Sequence, residues 1–132
     1  MKLIIQTSGK RKKANARATL VEGKGRITIN NMVIDNYKPE FAKIKLFEPL
    51  FLAGESAKQV DIKVRVSGGG IIGQTEAVRL AIAKALAEYN PKFRSIFSDY
   101  DWTLETADVR QREVRKPNTH GNARGKVQKS YR

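Results

Sequence analysis

Lysine and arginine side chains are gathered at the two ends of this sequence. Residues 1–26 hold eight basic side chains and one acid, and residues 109–132 hold the same numbers, so each end has a net charge of +7. Residues 27–108 have a net charge of −1. Ammonium and guanidinium groups bind phosphate oxygens through charge-assisted hydrogen bonds. Because like charges within a segment repel each other, a polyanionic partner explains these clusters better than folding does.

The first basic segment contains a run of candidate phosphate-binding residues. They are Lys10, Arg11, Lys12, Lys13 and Arg17. Four successive bases are a common signal, which is also typical of a solvated loop or a nuclear-import sequence. The phosphate-binding interpretation of the run is better supported because a second, independent basic segment lies in the same chain.

The second basic segment, residues 109–132, has the composition of an extended RNA-penetrating arm. Its first candidate RNA-binding residues are Arg110, Arg112, Arg115, Lys116, Arg124 and Lys126. Apolar residues are so few that we expect no packed core and no order before a partner binds. The segment could reach roughly 80 Å at about 3.3 Å per residue. The alternatives are a solvated tail or a membrane-surface arm, but the segment lacks the apolar face that a membrane arm needs.

The composition also argues against several kinds of site. The sequence has no Cys and one His, so it offers no disulfide, no thiolate nucleophile and no Cys-based or His-cluster metal site. It has no apolar run of about 18 residues that would span a membrane. We therefore predict no catalytic residue, no metal and no cofactor, and the absence of Cys fits a reducing cytosol.

A glycine-rich stretch over residues 67–74 lies between a predicted strand and a predicted helix. Backbone amides at such a junction can hold phosphate. Gly68, Gly70 and Gly73 have G-x-G-x-x-G spacing, but neither the Lys-Ser/Thr of a P-loop nor the acidic partner of a dinucleotide site follows. The stretch is either a tight strand-to-helix crossover or a backbone contact for RNA phosphate.

The middle of the chain supplies the elements that must position the basic segments. Residues 60–66 alternate as a strand with Asp61, Lys63 and Arg65 on its polar face. The other predicted elements are a hairpin over 14–21 and 26–29, an exposed loop over 7–13, and helices over 41–52, 75–89 and 93–102. Pro49 should begin or end its helix. We expect a globular domain over 1–108 and an arm over 109–132.

Four motifs lie in separate parts of the sequence: GGGIIGQTEAVRLAIAKAL over residues 68–86, SGKRKKANAR over residues 8–17, EPLFLAG over residues 48–54, and the ending QKSYR. The first two resemble the signature and the basic opening of the family of universal ribosomal protein nine of the small subunit. The last two resemble the archaeal and eukaryotic branch of that family. The motifs occur in the family's order and span nearly the whole chain.

The resemblance implies an α+β fold: a mixed four-stranded sheet with helices on one face and a left-handed β-α-β crossover, like domain two of ribosomal protein five. It implies a non-enzymatic constituent of the cytoplasmic ribosome, with head-domain 16S-type rRNA, neighbouring head proteins and the peptidyl-site tRNA as partners. The arm would reach the tRNA anticodon stem-loop. The residues near the tRNA would be Lys129, Ser130, Tyr131 and Arg132.

Two other function classes stay open from the residues alone. A free-standing RNA-binding module would use the same basic ends without remaining on one large RNA. A small-molecule kinase would use the glycine-rich stretch for nucleotide, but the sequence offers no catalytic apparatus for it.

Overall fold

The computed structural model describes residues 4–37, 39–101, 104 and 115. Over these residues the chain forms an α+β fold with five strands and three helices. The strands are β1 (Ile4–Arg11), β2 (Ala14–Glu22), β3 (Ile27–Ile29), β4 (Met32–Val33) and β5 (Val60–Ser67). The helices are α1 (Glu40–Ala53), α2 (Ile71–Tyr89) and α3 (Phe93–Tyr100). Within the described part, no helix is both long and apolar enough to cross a membrane.

The strands form one mixed sheet in the order β1-β2-β5-β3-β4, with β3 parallel to β5 and the other pairs antiparallel. The expected mixed sheet is confirmed, but the expected four strands are wrong, since the described residues form five. The two-residue strand β4 exists because Asn30 and Asn31 both have positive φ, 49° and 68°. This backbone conformation makes the tight turn that pairs Met32 with Ile29.

The predicted hairpin between residues 14–21 and 26–29 is wrong, because β5 lies between these two strands. Its backbone pairs with β2 on one side and β3 on the other. The apolar side chains Val60, Ile62, Val64 and Val66 are all buried. A strand with this unbroken apolar face is stabilised most in the centre of the sheet, where its side chains are fully buried. This explains why β2 pairs with β5 rather than with β3.

The predicted exposed loop over residues 7–13 is mostly strand. β1 pairs with β2 from Ile4 opposite Val21 to Arg11 opposite Ala14, so only Lys12 and Lys13 form the turn. The sequence suggested a loop because these residues are polar. Pairing with β2 nevertheless satisfies the hydrogen bonds of their backbone groups, whatever their side chains are.

Two helix predictions needed correction at single positions. α2 begins at Ile71 rather than Thr75, and the Thr75 hydroxyl donates to the Ile71 carbonyl at 2.8 Å within the helix. Pro49 lies inside α1, which continues to Ala53. Burial of Leu46, Pro49 and Leu50 against the rest of the fold offsets the cost of about 3 kcal/mol for an interior proline.

The core lies between the helices and one face of the sheet. The buried residues of β1, β2 and β5 alternate along each strand and face α2. Gly9 lets α2 approach β1 closely, because a Cβ at this position would lie 2.2 Å from the Ala77 carbonyl oxygen. The Thr7 hydroxyl donates to the Ala81 carbonyl at 2.8 Å in the same contact.

Candidate nucleic-acid interface

Among the described residues no helix covers the second face of the sheet, which is the candidate interface. We call it the open face and define it by the outward-facing residues of β1, β2 and β5. These alternate with the buried residues and are mostly exposed. The basic members are Lys10, Arg17, Lys63 and Arg65. The strands hold their backbones at fixed positions, so the four charges lie on a rigid support.

Sheet register brings these basic residues together from distant parts of the chain. Arg17 of β2 lies directly opposite Arg65 of β5. Lys63 lies on the same side of β5, two residues before Arg65, and faces Thr19 across the sheet. Lys10 faces Asn15 at the end of the sheet nearest the β1–β2 turn. The open face therefore concentrates positive charge along its middle strands.

No described residue forms an ion pair with any of the four open-face cations. Other basic residues are neutralised: Arg11 Nε lies 2.8 Å from Glu76 Oε2, and the buried Arg79 pairs with Glu48 and Asp101. Like charges directly opposite each other on paired strands are destabilising. An anion binding over Arg17 and Arg65 would remove this repulsion.

Asp61 is the single acid among the outward-facing residues of β1, β2 and β5, and the β2–β3 connection engages its carboxylate. Its Oδ1 accepts hydrogen bonds from the backbone amides of Lys24, Gly25 and Arg26 at 3.0, 3.1 and 2.9 Å. Hydrogen bonding, foremost from the Arg26 amide, lowers the pKa of the Asp61 carboxyl from its ordinary value of 3.8. The acid fixes a turn and leaves the cations of the open face unpaired.

The β1 edge of the open face is bounded by α2. A shallow concavity runs from Gln6 and Ser8 to Lys63 and is bordered by Lys84 and Glu88. The Lys84 ammonium donates to the Ser8 carbonyl at 3.1 Å. This contact ties the outer edge of β1 to the helix and leaves the centre of the open face clear.

The basic turn and the glycine-rich stretch meet at one end of the molecule. A Cβ at Gly68 would lie 2.3 Å from the Lys13 carbonyl oxygen, and one at Gly69 would lie 3.1 Å from Ala14. Both glycines have positive φ, 78° and 67°. This packing supports the interpretation of the stretch as a tight strand-to-helix crossover. Lys12 is exposed beside it.

The five predicted N-terminal binding residues therefore have different surroundings. Lys10 and Arg17 lie on the open face, Lys12 and Lys13 form the exposed turn, and Arg11 packs against α2 through Glu76. Among the predicted arm residues only Arg115 is described, and it is exposed. The remaining ones lie outside the described residues, namely Arg110, Arg112, Lys116, Arg124, Lys126, Lys129, Ser130, Tyr131 and Arg132.

Sequence reasoning did not assign Lys63 and Arg65 to the interface. Their alternation with buried valines correctly predicted that they share one side of a strand. The missing information was the neighbour of that strand, because only the pairing of β2 with β5 places Arg65 beside Arg17.

The chain is similar to known proteins over nearly its whole length. The family model of ribosomal protein S9/S16 matches residues 9–132. Small ribosomal subunit protein uS9 of Methanothrix thermoacetophila is 44% identical over 131 residues, which cover 98% of each protein. The protein of the same name from Desulfurococcus amylolyticus is 46% identical over 131 residues, covering 98% of this chain and 93% of that relative.

Proposed function

The chain belongs to the ribosomal protein S9/S16 family, and we propose that it binds head-domain rRNA of the small subunit and extends to the peptidyl-site tRNA. Membership makes it a structural component of the small subunit in the cytoplasmic ribosome, with a role in translation and no enzymatic activity. The observation that carries the proposed rRNA contact is the open face, whose cations have no acidic partner among the described residues.

Binding would release counterions from the RNA as Lys10, Lys12, Lys13 and Arg17 approach phosphates. Arg11, already paired with Glu76, would contribute less unless that pair opens. In the proposed arm, Arg110, Arg112, Arg115, Lys116, Arg124 and Lys126 would follow the rRNA. If the protein neutralises six to ten phosphates, its affinity for rRNA should fall roughly 10³- to 10⁵-fold when the salt concentration rises from about 50 to 200 mM.

Two structural parts of the proposal follow from the family resemblance. The connection from β3 through α1 to β5 would be the left-handed crossover, and the parallel pairing of β3 with β5 supports a crossover there. The globular domain would end near residue 108, ahead of an arm over 109–132. Its support is the packing of the described core, which includes the buried Leu104.

Neighbouring head proteins are the third proposed partner. Three apolar side chains of α1 are exposed to solvent: Phe41, Ile44 and Phe51. Apolar groups clustered on one helix are typical of surfaces that become covered by another protein. These residues support a protein contact on the helical side, away from the cations of the open face.

Sedimentation of a cell lysate tests the proposed function directly. We expect the full chain to migrate with the small subunit in stoichiometric amount and to remain there after a high-salt wash. Mass spectrometry of the gradient fractions gives the measurement. Recovery mainly in the light fractions would contradict a structural role and favour a free-standing RNA-binding module.

The proposed tRNA contact predicts a selective effect of Arg132→Ala. The side chain of this residue would face a tRNA phosphate, because a guanidinium forms charge-assisted hydrogen bonds with phosphate oxygens. We expect weaker retention of peptidyl-site tRNA by assembled subunits, measured by filter binding, with assembly unchanged. Lys126→Ala, which removes a proposed rRNA contact, is the matched control. Equal loss of assembly and tRNA retention in Arg132→Ala would contradict a tRNA-specific role.

A further inference from the structure

The open face carries groups that bind a sugar-phosphate backbone but no aromatic side chain on which bases could stack. Besides its cations it presents the hydroxyl and amide side chains of Gln6, Ser8, Asn15, Thr19 and Ser67. A row of Ile4, Val21 and Asp61 lies at the end of this face opposite the basic turn. No aromatic residue occupies an outward-facing position of β1, β2 or β5. The described aromatic side chains lie on the helices and at Tyr37.

This chemistry distinguishes two kinds of RNA. Sheets that bind single-stranded RNA stack its bases on exposed aromatic side chains. Double-helical RNA offers its phosphates and 2′-hydroxyls, and proteins bind it mainly through those groups and its shape. The open face has donors and acceptors for the second kind and lacks the aromatic stacking surfaces of the first.

We propose that the open face docks on double-helical RNA, with Arg17, Lys63 and Arg65 contacting its phosphates. The inference rests on the proposed rRNA binding and deepens it, since it names the RNA class and adds Lys63 and Arg65 to the contact. The three side chains occupy adjacent strands about 4.8 Å apart and positions about 7 Å apart along β5. This compact patch continues through Lys10 to the exposed turn at Lys12 and Lys13.

The repulsion between Arg17 and Arg65 supports a binding role over a structural one. The two side chains lie directly opposite each other and have no described acidic partner, so they oppose folding of the free protein. A polyanion supplies the missing counter-charge. Removal of Arg65 should therefore weaken RNA binding without lowering the melting temperature, whereas removal of a structural residue would lower it.

The test uses the full chain and a double variant, Lys63→Thr with Arg65→Thr. Threonine is favoured in strands and already occurs on this face at Thr19. The control is Lys92→Ala with Arg94→Ala, which removes the same charge from exposed positions at and near the start of α3. The probes are an RNA duplex of about 16 base pairs and one of its strands alone.

We expect the open-face variant to bind the duplex about tenfold more weakly for each phosphate that it no longer neutralises at about 0.1 M salt. The slope of log affinity against log salt should become shallower by about one unit for each such phosphate. Duplex affinity of the control and single-strand affinity of both variants should fall much less. The melting temperature of the open-face variant should equal or exceed that of the wild type at low salt.

Three results would overturn the inference. The first is an equal fall of duplex affinity in both variants, which would assign binding to overall charge. The second is a preference of the wild type for the single strand, and the third is a lower melting temperature that accounts for the weaker binding.

If the wild type also failed to bind small-subunit rRNA, the proposed function itself would fail. If it bound that rRNA normally, only the inference would fail.

Discussion

Asp61 joins three consecutive backbone amides of the β2–β3 connection through one carboxylate oxygen. Gly23 makes this contact possible, because a Cβ there would lie 2.2 Å from the Asp61 carboxyl carbon. Hydrogen bonds to an ionised acceptor are stronger than those between neutral groups. This residue therefore fixes how the chain leaves β2 and passes the end of β5 to enter β3.

Asp61→Ala should destabilise the protein by about 1–3 kcal/mol at neutral pH, because three amides lose a charged acceptor. The folded-state pKa of Asp61 is lowered, so its stabilising effect is complete above the unfolded value of 3.8 and disappears as pH falls through the lower folded value. The difference in melting temperature between wild type and variant should shrink below about pH 4. Asp99→Ala, which removes an exposed acid of α3, is the control. A difference that stays constant with pH would contradict the role of the charge.

At the scale of elements, α2 organises the helical side of the fold. It packs on β1 through Gly9, Ala77 and Ala81, whose small size brings the helix close to the strand. On its other side, the buried Arg79 pairs with Glu48 of α1 and with Asp101 after α3. Arg79 is thus joined to acids, whereas the cations of the open face have no acidic partner among the described residues.

Gly9→Ala should destabilise the protein by about 1–3 kcal/mol, because its methyl group would overlap the backbone of α2. Gly70→Ala is the matched control, since a Cβ at Gly70 would have no atom within 4 Å. Chemical denaturation of the two variants measures the difference. Equal stabilities would mean that α2 can move away from β1 at little cost.

At the scale of the whole molecule, the proposed RNA contacts come from two sources. One is the open face with its basic turn, and the other is the segment over residues 109–132, with a net charge of +7. Every described residue of the apolar core lies between Ile5 and Leu104. Removal of residues 109–132 should therefore weaken RNA binding without unfolding the protein.

Deleting residues 109–132 should leave a folded protein with weaker, less salt-dependent RNA binding. Thermal unfolding of the 1–108 fragment should remain cooperative, because the described core is retained. The salt slope for rRNA binding should fall by about one unit for each phosphate that the segment would otherwise neutralise. Disappearance of the unfolding transition would show that the segment contributes to the fold.

Prediction from the sequence succeeded where one local pattern decided the outcome. Strict alternation gave β5, and the apolar stripe of residues 75–89 gave most of α2. Prediction failed where contacts between residues far apart in sequence determined the structure. Residues 7–11, predicted as part of a loop, are strand because they pair with β2. The predicted hairpin is absent because β5 pairs with β2 in its place. Pro49 lies inside α1 because packing outweighs its local cost.

The sequence by itself determined that this protein carries two basic ends around a nearly neutral middle, and that its motifs resemble one ribosomal family. Charge, composition and motif order are properties of the chain and need no contacts. Only the tertiary structure decided which of the described cations have an acidic partner and which do not. Sheet register set Arg65 beside Arg17, whereas the approach of α2 joined Arg11 to Glu76. These differences arise from contacts between residues far apart in sequence, which no local pattern encodes.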